Sequence, residues 1–233
     1  MIIALNNKSN LNKEDFLSYQ DNLRDINSNS KLILCPTFLN INLFNLDNYS
    51  LGAQNVSTTN DGAYTGEISA SSLKKSNVEY AIIGHSERRQ YQRETLENIN
   101  EKIKRLFEND ITPILCIGES KEERETNKFK EILEKELKTA IDGLTEELRQ
   151  KIIIAYEPIW SIGTGIIPTN EEIIEVFNFI KTILPNSKIL YGGSANEKNI
   201  DTLKEIKEID GYLLGGLSLK PSELQVFINK LEN

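Results

Sequence analysis

The sequence predicts a single (β/α)₈ barrel that spans residues 1–233. Eight short apolar runs alternate with amphipathic segments along the whole chain, at a spacing of about 29 residues. No linker rich in Pro, Gly or Ser divides the chain, and its 233 residues suit an undivided α/β barrel, which is typically about 250 residues long. An open, doubly wound sheet shows the same alternation, so the pattern alone does not separate these two folds.

The apolar runs are rich in Ile, Leu and Ala, with little alternation between apolar and polar residues. Runs of this kind are typical of strands that are buried on both faces of a parallel sheet. We predict eight strands, of which the third is the weakest, at residues 2–5, 32–34, 51–54, 80–83, 112–117, 152–156, 188–191 and 212–214.

Amphipathic helices are predicted between these strands. Ser120 with Glu123, and Thr169 with Glu172, have the spacing of a capping box and mark two helix starts. Pro221 suits the first turn of the last helix. The segment 121–138 carries charges of both signs and an apolar stripe, which predicts a helix with a solvated face. Apolar residues recur at helical spacing over 99–107, 129–141 and 173–184.

Charge and composition exclude several classes of function. The net charge of −8 disfavours binding to nucleic acid or to an anionic membrane, although it leaves room for a small anionic ligand. No run approaches the roughly 18 apolar residues of a membrane-spanning helix. The chain starts directly with an apolar strand, so we expect no signal peptide. The two cysteines, Cys35 and Cys116, fit a reducing cytosol, which predicts a cytoplasmic protein.

Polar residues follow five of the predicted strands, and in a barrel the active site lies where the strands end. His85, the only histidine, follows strand four and precedes a short polar turn that is predicted to be helical. Backbone N–H groups there favour a neutral imidazole, which donates a hydrogen bond to a carbonyl oxygen and shuttles a proton. A structural histidine is the alternative. One histidine excludes a multi-histidine metal site, so no catalytic metal is predicted.

Glu157 directly follows the apolar run of strand six. A carboxylate in this place is predicted to be a general base that removes a proton next to a carbonyl. A salt bridge at the end of the barrel is the alternative. The residues that follow, with Gly163-Thr164-Gly165 at their tip, have stiff flanks and a small centre. This pattern predicts a lid that excludes water from a reactive intermediate.

A phosphate site is predicted beyond strands seven and eight, which is its usual place in barrels. Glycines there let main-chain N–H groups approach the phosphate oxygens closely. Lys8, after strand one, supplies a cation that attracts the anion and stabilises oxyanion charge, unless it is an ordinary surface lysine. The candidate phosphate-binding residues are Gly193, Ser194, Gly215 and Gly216.

Taken together, these motifs resemble the triosephosphate isomerase family, in that family's order and over essentially the whole chain. The most specific segment is 155–165, followed by 84–89. The motifs are Asn-x-Lys at Asn6 and Lys8, Gly-His-Ser-Glu-Arg-Arg at 84–89, Ala-Tyr-Glu-Pro-Ile-Trp-Ser-Ile-Gly-Thr-Gly at 155–165, Tyr-Gly-Gly-Ser at 191–194 and Gly-Gly-x-Ser-Leu-Lys-Pro at 215–221. Residues 53–55, 62–67 and 115–119 match as well.

The resemblance implies a TIM barrel that interconverts dihydroxyacetone phosphate and D-glyceraldehyde 3-phosphate through an enediolate, without cofactor or metal, in glycolysis and gluconeogenesis. It implies that Glu157 is the base, that His85 is the electrophile, and that Asn6 and Lys8 bind and polarise the substrate. It gives Glu87 a role near the lysine, where it would support the lysine or relay protons. The phosphate would lie against Gly163, Ser194, Gly215 and Gly216, with Cys116 buried beside the site.

The resemblance also implies a homodimer, in which the loop of residues 60–67, from Asn60 to Glu67, projects Thr65 into a neighbouring subunit. Asn7 and Ser9 depart from the family pattern, where an aromatic residue and often Met occur. Both positions are expected near the subunit contact, so they bear on dimer strength. Two further departures are Leu217 in place of a small alanine, and Ile166-Ile167-Pro168 at the second hinge of the lid.

Two other functions are compatible with the residues alone. A Schiff-base aldolase on a similar barrel would use Lys8 as nucleophile. A non-catalytic phosphate-binding protein would bind the ligand without turnover. The glutamate and the lid after strand six favour the isomerase over the aldolase, and the complete acid–base set favours it over the binding protein.

Overall fold

The computed structural model describes residues 1–162 and 166–233. Eight parallel strands pair in chain order, and the last pairs with the first, so the sheet closes into a barrel. This confirms the predicted (β/α)₈ fold and removes the open sheet as an alternative. The strands are β1 (Ile2–Asn6), β2 (Lys31–Cys35), β3 (Tyr49–Ala53), β4 (Tyr80–Ile83), β5 (Thr112–Ile117), β6 (Ile153–Tyr156), β7 (Ile189–Tyr191) and β8 (Gly211–Leu214).

The predicted strands agree with the structure to within one residue at most ends. The third strand is the exception, because it begins at Tyr49 rather than at residue 51 and ends at Ala53. Its first two residues, Tyr49 and Ser50, pair with Leu32 and Ile33 of β2. This pairing extends the strand beyond its short apolar run. Local sequence does not reveal the extension, because it depends on contacts with β2.

The barrel encloses a layer of small and branched side chains, and a second, larger layer lies between the barrel and the helices. Cys35 and Cys116 belong to the inner layer, where both are buried free thiols. Burial raises the pKa of Cys35 to about 12, so this thiol stays protonated. The inner layer consists of Ala4, Ile33, Cys35, Ile82, Ile114, Cys116, Ile153, Ala155, Leu190 and Leu213.

Helices surround the barrel, and both predicted capping boxes are present. Pro221 lies in the first turn of the last helix, as predicted. In the described residues no helix is long and apolar enough to cross a membrane. The helices are α1 (Lys13–Arg24), α2 (Ala70–Lys75), α3 (Ser86–Gln92), α4 (Leu96–Phe107), α5 (Lys121–Glu125), α6 (Phe129–Ala140), α7 (Glu146–Lys151), α8 (Asn170–Ile183), α9 (Ile200–Leu203) and α10 (Pro221–Glu232).

The segment 121–138 is mostly helical with a solvated face, as predicted, but it is divided into two helices. The Ser120 capping box starts only the short α5, and a separate helix, α6, begins at Phe129. Asn127 lies between them with φ +57°, a left-handed conformation that Asn adopts more readily than most residues. The apolar stripe belongs to α6 alone, where Phe129, Leu133 and Leu137 are buried.

Candidate active site

The carboxyl ends of the strands surround a cavity of about 330 Å³. Residues that follow β1, β4, β6, β7 and β8 line it, because parallel strands in a barrel all end at the same rim. Asn6, Lys8, His85, Glu157, Ser194, Gly215 and Gly216, which the sequence singled out, are among the lining residues. The structure therefore brings together side chains and backbone that lie far apart in the chain.

His85 and Glu157 face each other at the base of this cavity. The Nε2 atom of His85 lies 3.1 Å from Oε1 of Glu157, and the two side chains are only 7% and 4% exposed. The backbone N–H of Ser86 donates to the other carboxylate oxygen at 3.3 Å. His85 is also the N-cap of α3, and its Nδ1 accepts the backbone N–H of Glu87 at 3.3 Å. An Nδ1 that accepts leaves Nε2 as the donor toward Glu157.

The two side chains shift each other's titration. Burial by itself lowers the pKa of His85, but the carboxylates of Glu157 and Glu87 together outweigh burial. The pKa of His85 therefore lies above its usual value, opposite to the direction expected from the backbone N–H groups of the following turn. Burial by itself raises the pKa of Glu157, whereas His85, the Ser86 N–H and Lys8 lower it. Their combined effect holds the pKa of Glu157 below its usual value. Glu157 is therefore a carboxylate at neutral pH and can accept a proton.

Lys8 extends into the cavity from the end of β1. Its backbone is left-handed, with φ +52°, and its N–H donates to Oδ1 of Asn6 at 3.0 Å. Gln54, which directly follows β3, holds the same turn, because its Nε2 donates to the carbonyl oxygen of Lys8 at 2.8 Å. The ammonium of Lys8 lies 2.6 Å from Oε1 of Glu87. Glu87 thus fixes the direction of the lysine side chain across the cavity mouth.

The opposite wall consists mainly of backbone after β7 and β8. Gly215 is so close to the lysine that a Cβ atom there would lie 3.3 Å from Cε of Lys8. The hydroxyl of Ser194 donates to the carbonyl oxygen of Ser161 at 2.6 Å, which joins this wall to the turn after β6. Gly163, the remaining predicted phosphate residue, lies outside the described residues.

The start of the predicted lid is attached to a buried carboxylate. Oε1 of Glu119 accepts hydrogen bonds from the Tyr156 hydroxyl at 2.9 Å, from Nε1 of Trp160 at 3.2 Å and from Nε of Arg124 at 3.0 Å. Glu119 itself has no solvent exposure. The segment Ile159–Ser161 therefore begins from a fixed position on the barrel.

Comparison with known proteins agrees with this arrangement. The family model described as triosephosphate isomerase matches residues 1–231. The chain is 42% identical over 225 residues to triosephosphate isomerase of Mycoplasmopsis pulmonis, covering 92% of this chain and 90% of that protein. It is 39% identical over 243 aligned positions to triosephosphate isomerase of Clostridium botulinum, strain Langeland, covering 98% of each. The chain belongs to the triosephosphate isomerase family.

Its activity is that of a triosephosphate isomerase, an isomerase of glycolysis, and its substrate is a triose phosphate. This assignment replaces the aldolase and the non-catalytic binding protein that the residues alone left open.

Two predicted supporting residues of the isomerase lie just outside the cavity. Glu87 reaches it only through its ion pair with Lys8. Cys116 lies behind Glu157, and burial, reinforced by the Glu157 carboxylate, raises its pKa well above the usual value. The carbonyl oxygen of Cys116 accepts a hydrogen bond from Nη2 of Arg89 at 2.6 Å. Cys116 therefore packs against the site as an uncharged thiol.

Sequence reasoning missed several groups that touch the predicted site residues. Ser86 was quoted within a motif but given no task, since its contribution is a backbone N–H that no side-chain pattern reveals. Gln54 directly follows the end of a strand, as the other site residues do. This position could have identified Gln54 as a candidate site residue. Arg89 donates hydrogen bonds to the carbonyl oxygens of Gly84 and Cys116. These contacts join residues from different strands, so they are visible only in the folded chain.

Asn7, which departs from the family pattern, is buried within the single chain. It is 1% exposed, and its side chain contacts Tyr19 and Ser218. Ser9, in contrast, is exposed. Leu217 is 7% exposed and lines the cavity beside the glycines.

Proposed function

We propose that Glu157 and His85 perform the proton transfers that interconvert dihydroxyacetone phosphate and D-glyceraldehyde 3-phosphate. The Glu157 carboxylate removes a proton from the carbon next to the substrate carbonyl, and the electron pair of that C–H bond forms the enediolate. His85, as a neutral imidazole, donates its Nε2 proton to one substrate oxygen and recovers a proton from the other. Glu157 then returns its proton to the adjacent carbon, so no cofactor or metal is required.

One observation carries this proposal. Glu157 and His85 come from different strands, yet Oε1 and Nε2 are 3.1 Å apart, and both side chains are buried at the base of the cavity. A carboxylate and an imidazole this close can contact neighbouring atoms of one three-carbon substrate. The Glu157 carboxylate raises the pKa of His85, but the Nδ1 atom accepts a backbone N–H and so carries no proton, which supports a neutral ring with its proton on Nε2.

We further propose that the phosphate binds between Lys8 and the backbone of Gly163, Ser194, Gly215 and Gly216. Lys8 reaches this wall, since its Cε would lie 3.3 Å from a Cβ at Gly215. The side chain of Asn6 accepts a hydrogen bond from the backbone N–H of Lys8 and also lines the cavity. We therefore assign Asn6 to substrate binding and polarisation. Glu87 positions the lysine, and Cys116 supports Glu157 from behind.

Kinetics of Glu157→Asp test the base. The shorter side chain withdraws the carboxylate from the substrate carbon, so we expect kcat to fall by about 10²–10⁴ while KM changes far less. Glu131→Asp, an exposed change on α6, serves as the matched control and should leave both constants unaltered. Turnover close to that of the unmodified protein in Glu157→Asp would reject the assignment.

The assembly we propose is a homodimer formed through residues 60–67. All eight residues of this loop are exposed in the single chain, including Tyr64 at 51%. A second cavity, of about 400 Å³, opens beside Lys8 and Glu87 and is bordered by Phe38 and Tyr91. Leu39, next to this opening, is 90% exposed. An apolar, open edge of this kind suits the inserted loop of another copy, with Thr65 at its tip.

We also propose that residues 1–233 act as one catalytic domain in the cytoplasm. One closed barrel contains strands from both ends of the chain, because β1 pairs with β8. Both cysteines are free and buried, a state that a reducing compartment preserves.

A further inference from the structure

A buried polar cluster lies directly beneath the proposed phosphate site. It consists of Asn7, Tyr19 of α1 and Ser218, which are 1%, 5% and 0% exposed. Nδ2 of Asn7 donates to the Tyr19 hydroxyl and to Oγ of Ser218, each at 3.3 Å. The Tyr19 hydroxyl in turn donates to the carbonyl oxygen of Ser218, and the Ser218 hydroxyl donates to the carbonyl oxygen of Asn6 at 3.1 Å.

The donors of the cluster determine how the amide of Asn7 is oriented. Each hydroxyl has one hydrogen, and both hydrogens are already directed to backbone carbonyls. The two hydroxyl oxygens can therefore only accept from Asn7, which uses both hydrogens of its amide nitrogen. The remaining atom, Oδ1, is buried without a hydrogen-bond partner. Such an atom costs about 1–3 kcal/mol of stability, so stability alone does not favour an amide here.

The cluster joins the two sides of the proposed site. On one side, Asn6 and Lys8 flank Asn7 at the end of β1. On the other side, Ser218 lies in the turn Gly216–Leu219, and its N–H donates to the carbonyl oxygen of Gly215 at 2.9 Å. The hydrogen bonds of Asn7 thus set how far the lysine stands from the glycine backbone.

We propose that Asn7 is a positioning residue, which holds Lys8 and the Gly215 turn at the separation that phosphate binding requires. The inference rests on the proposed phosphate site between these two groups. Asn7 is not among the residues that line the cavity, so it would act through Ser218 and the backbone of Asn6. A positioning role predicts weaker binding of the phosphate group, whereas a purely structural role predicts lower stability with unchanged binding.

The test uses Asn7→Leu and Asn7→Ala, with inorganic phosphate as the competitive inhibitor. Leucine branches at the same atom as asparagine and removes the amide but neither hydroxyl-to-carbonyl bond. We expect KM and the inhibition constant of phosphate to rise together by about five- to thirtyfold in both variants, with a smaller change in kcat. Urea denaturation of each variant measures stability separately.

Asn100→Ala is the matched control. Asn100 is an equally buried asparagine on α4, and its Nδ2 donates to the carbonyl oxygens of Ala140 and Asp142, away from the cavity. It should lose stability without any change in phosphate inhibition. The proposal is overturned if both Asn7 variants stay within about twofold of the unmodified constants, or if Asn100→Ala raises them equally.

Lys8→Met separates failure of the inference from failure of the proposed site. If Lys8→Met weakens phosphate inhibition and the Asn7 variants do not, the phosphate site stands and only the role of Asn7 falls. If phosphate does not compete with substrate in the unmodified protein, or if Lys8→Met leaves its inhibition constant unchanged, the site itself is rejected and the inference with it.

Discussion

Arg89 and the buried Glu136 form a partly buried ion pair that joins the ends of β4 and β5. Nε of Arg89 donates to the carbonyl oxygen of Gly84 at 2.8 Å, and Nη2 donates to that of Cys116 at 2.6 Å. Glu136 pairs with Nη1 of Arg89 and accepts the N–H of Gly118 at 3.0 Å. Gly84 directly precedes His85. The pair therefore sets the spacing of the backbone around the candidate active site.

Gly118 extends this connection to the neighbouring strand. A Cβ atom at Gly118 would lie 1.7 Å from the carbonyl oxygen of Glu157, so only glycine permits the approach. The N–H of Glu157 donates to the carbonyl oxygen of Ile117 at 2.8 Å. Through these contacts, the Arg89–Glu136 pair supports the backbone on both sides of the proposed acid–base pair.

Arg89→Met is expected to destabilise the protein by about 3 kcal/mol or more, because it leaves a buried carboxylate and two carbonyl oxygens without their partner. The free energy of unfolding in urea measures this. Arg24→Met is the matched control, since Arg24 pairs at 3.5 Å with an exposed Asp21. Exposed pairs contribute about 0–1 kcal/mol, so the control should unfold almost as the unmodified protein does. Equal losses in the two variants would contradict the role of the partly buried pair.

The pKa of His85 should fall when Glu157 loses its charge. Burial lowers this pKa and the Glu157 carboxylate raises it, so Glu157→Gln leaves burial as the main influence. We expect the imidazole in the variant to remain neutral to a lower pH than in the unmodified protein. Because the chain has one histidine, its ring signals in an NMR titration report this pKa without assignment.

Glu131→Gln, an exposed change on α6, controls for the loss of one negative charge from the protein. It should leave the titration of His85 where it is. A pKa of His85 that is unchanged or higher in Glu157→Gln would show that the carboxylate does not govern the ring.

Thr65→Arg should convert the proposed homodimer into monomers. An arginine at the tip of the 60–67 loop is too long and too polar to enter the cavity beside Lys8 of another copy. Sedimentation over a range of protein concentrations measures the mass. Thr126→Arg adds the same side chain at an exposed threonine at the end of α5 and should not alter assembly. A Thr65→Arg protein that sediments as a dimer at every concentration would place the contact elsewhere.

Much of the barrel and most of the site could be predicted from sequence because their signals are local. Buried strands produce continuous apolar runs, and the polar residue after each run marks the rim of a parallel barrel. This reasoning led to Asn6, His85 and Glu157, which come together in one cavity. Capping residues at Ser120 and Thr169 also carry their own signal, since the partner lies three positions away.

Sequence by itself determined the order of strands and helices and the residues at the rim. Only the tertiary structure decided which buried side chains contact and support the rim residues. Asn7 and Ser218 are 211 positions apart, and Arg89 and Glu136 are 47 apart, so neither pair leaves a periodic trace. Apolar burial and capping depend on neighbours along the chain, whereas the contacts that hold the proposed catalytic groups in place depend on which distant residues the closed barrel brings together.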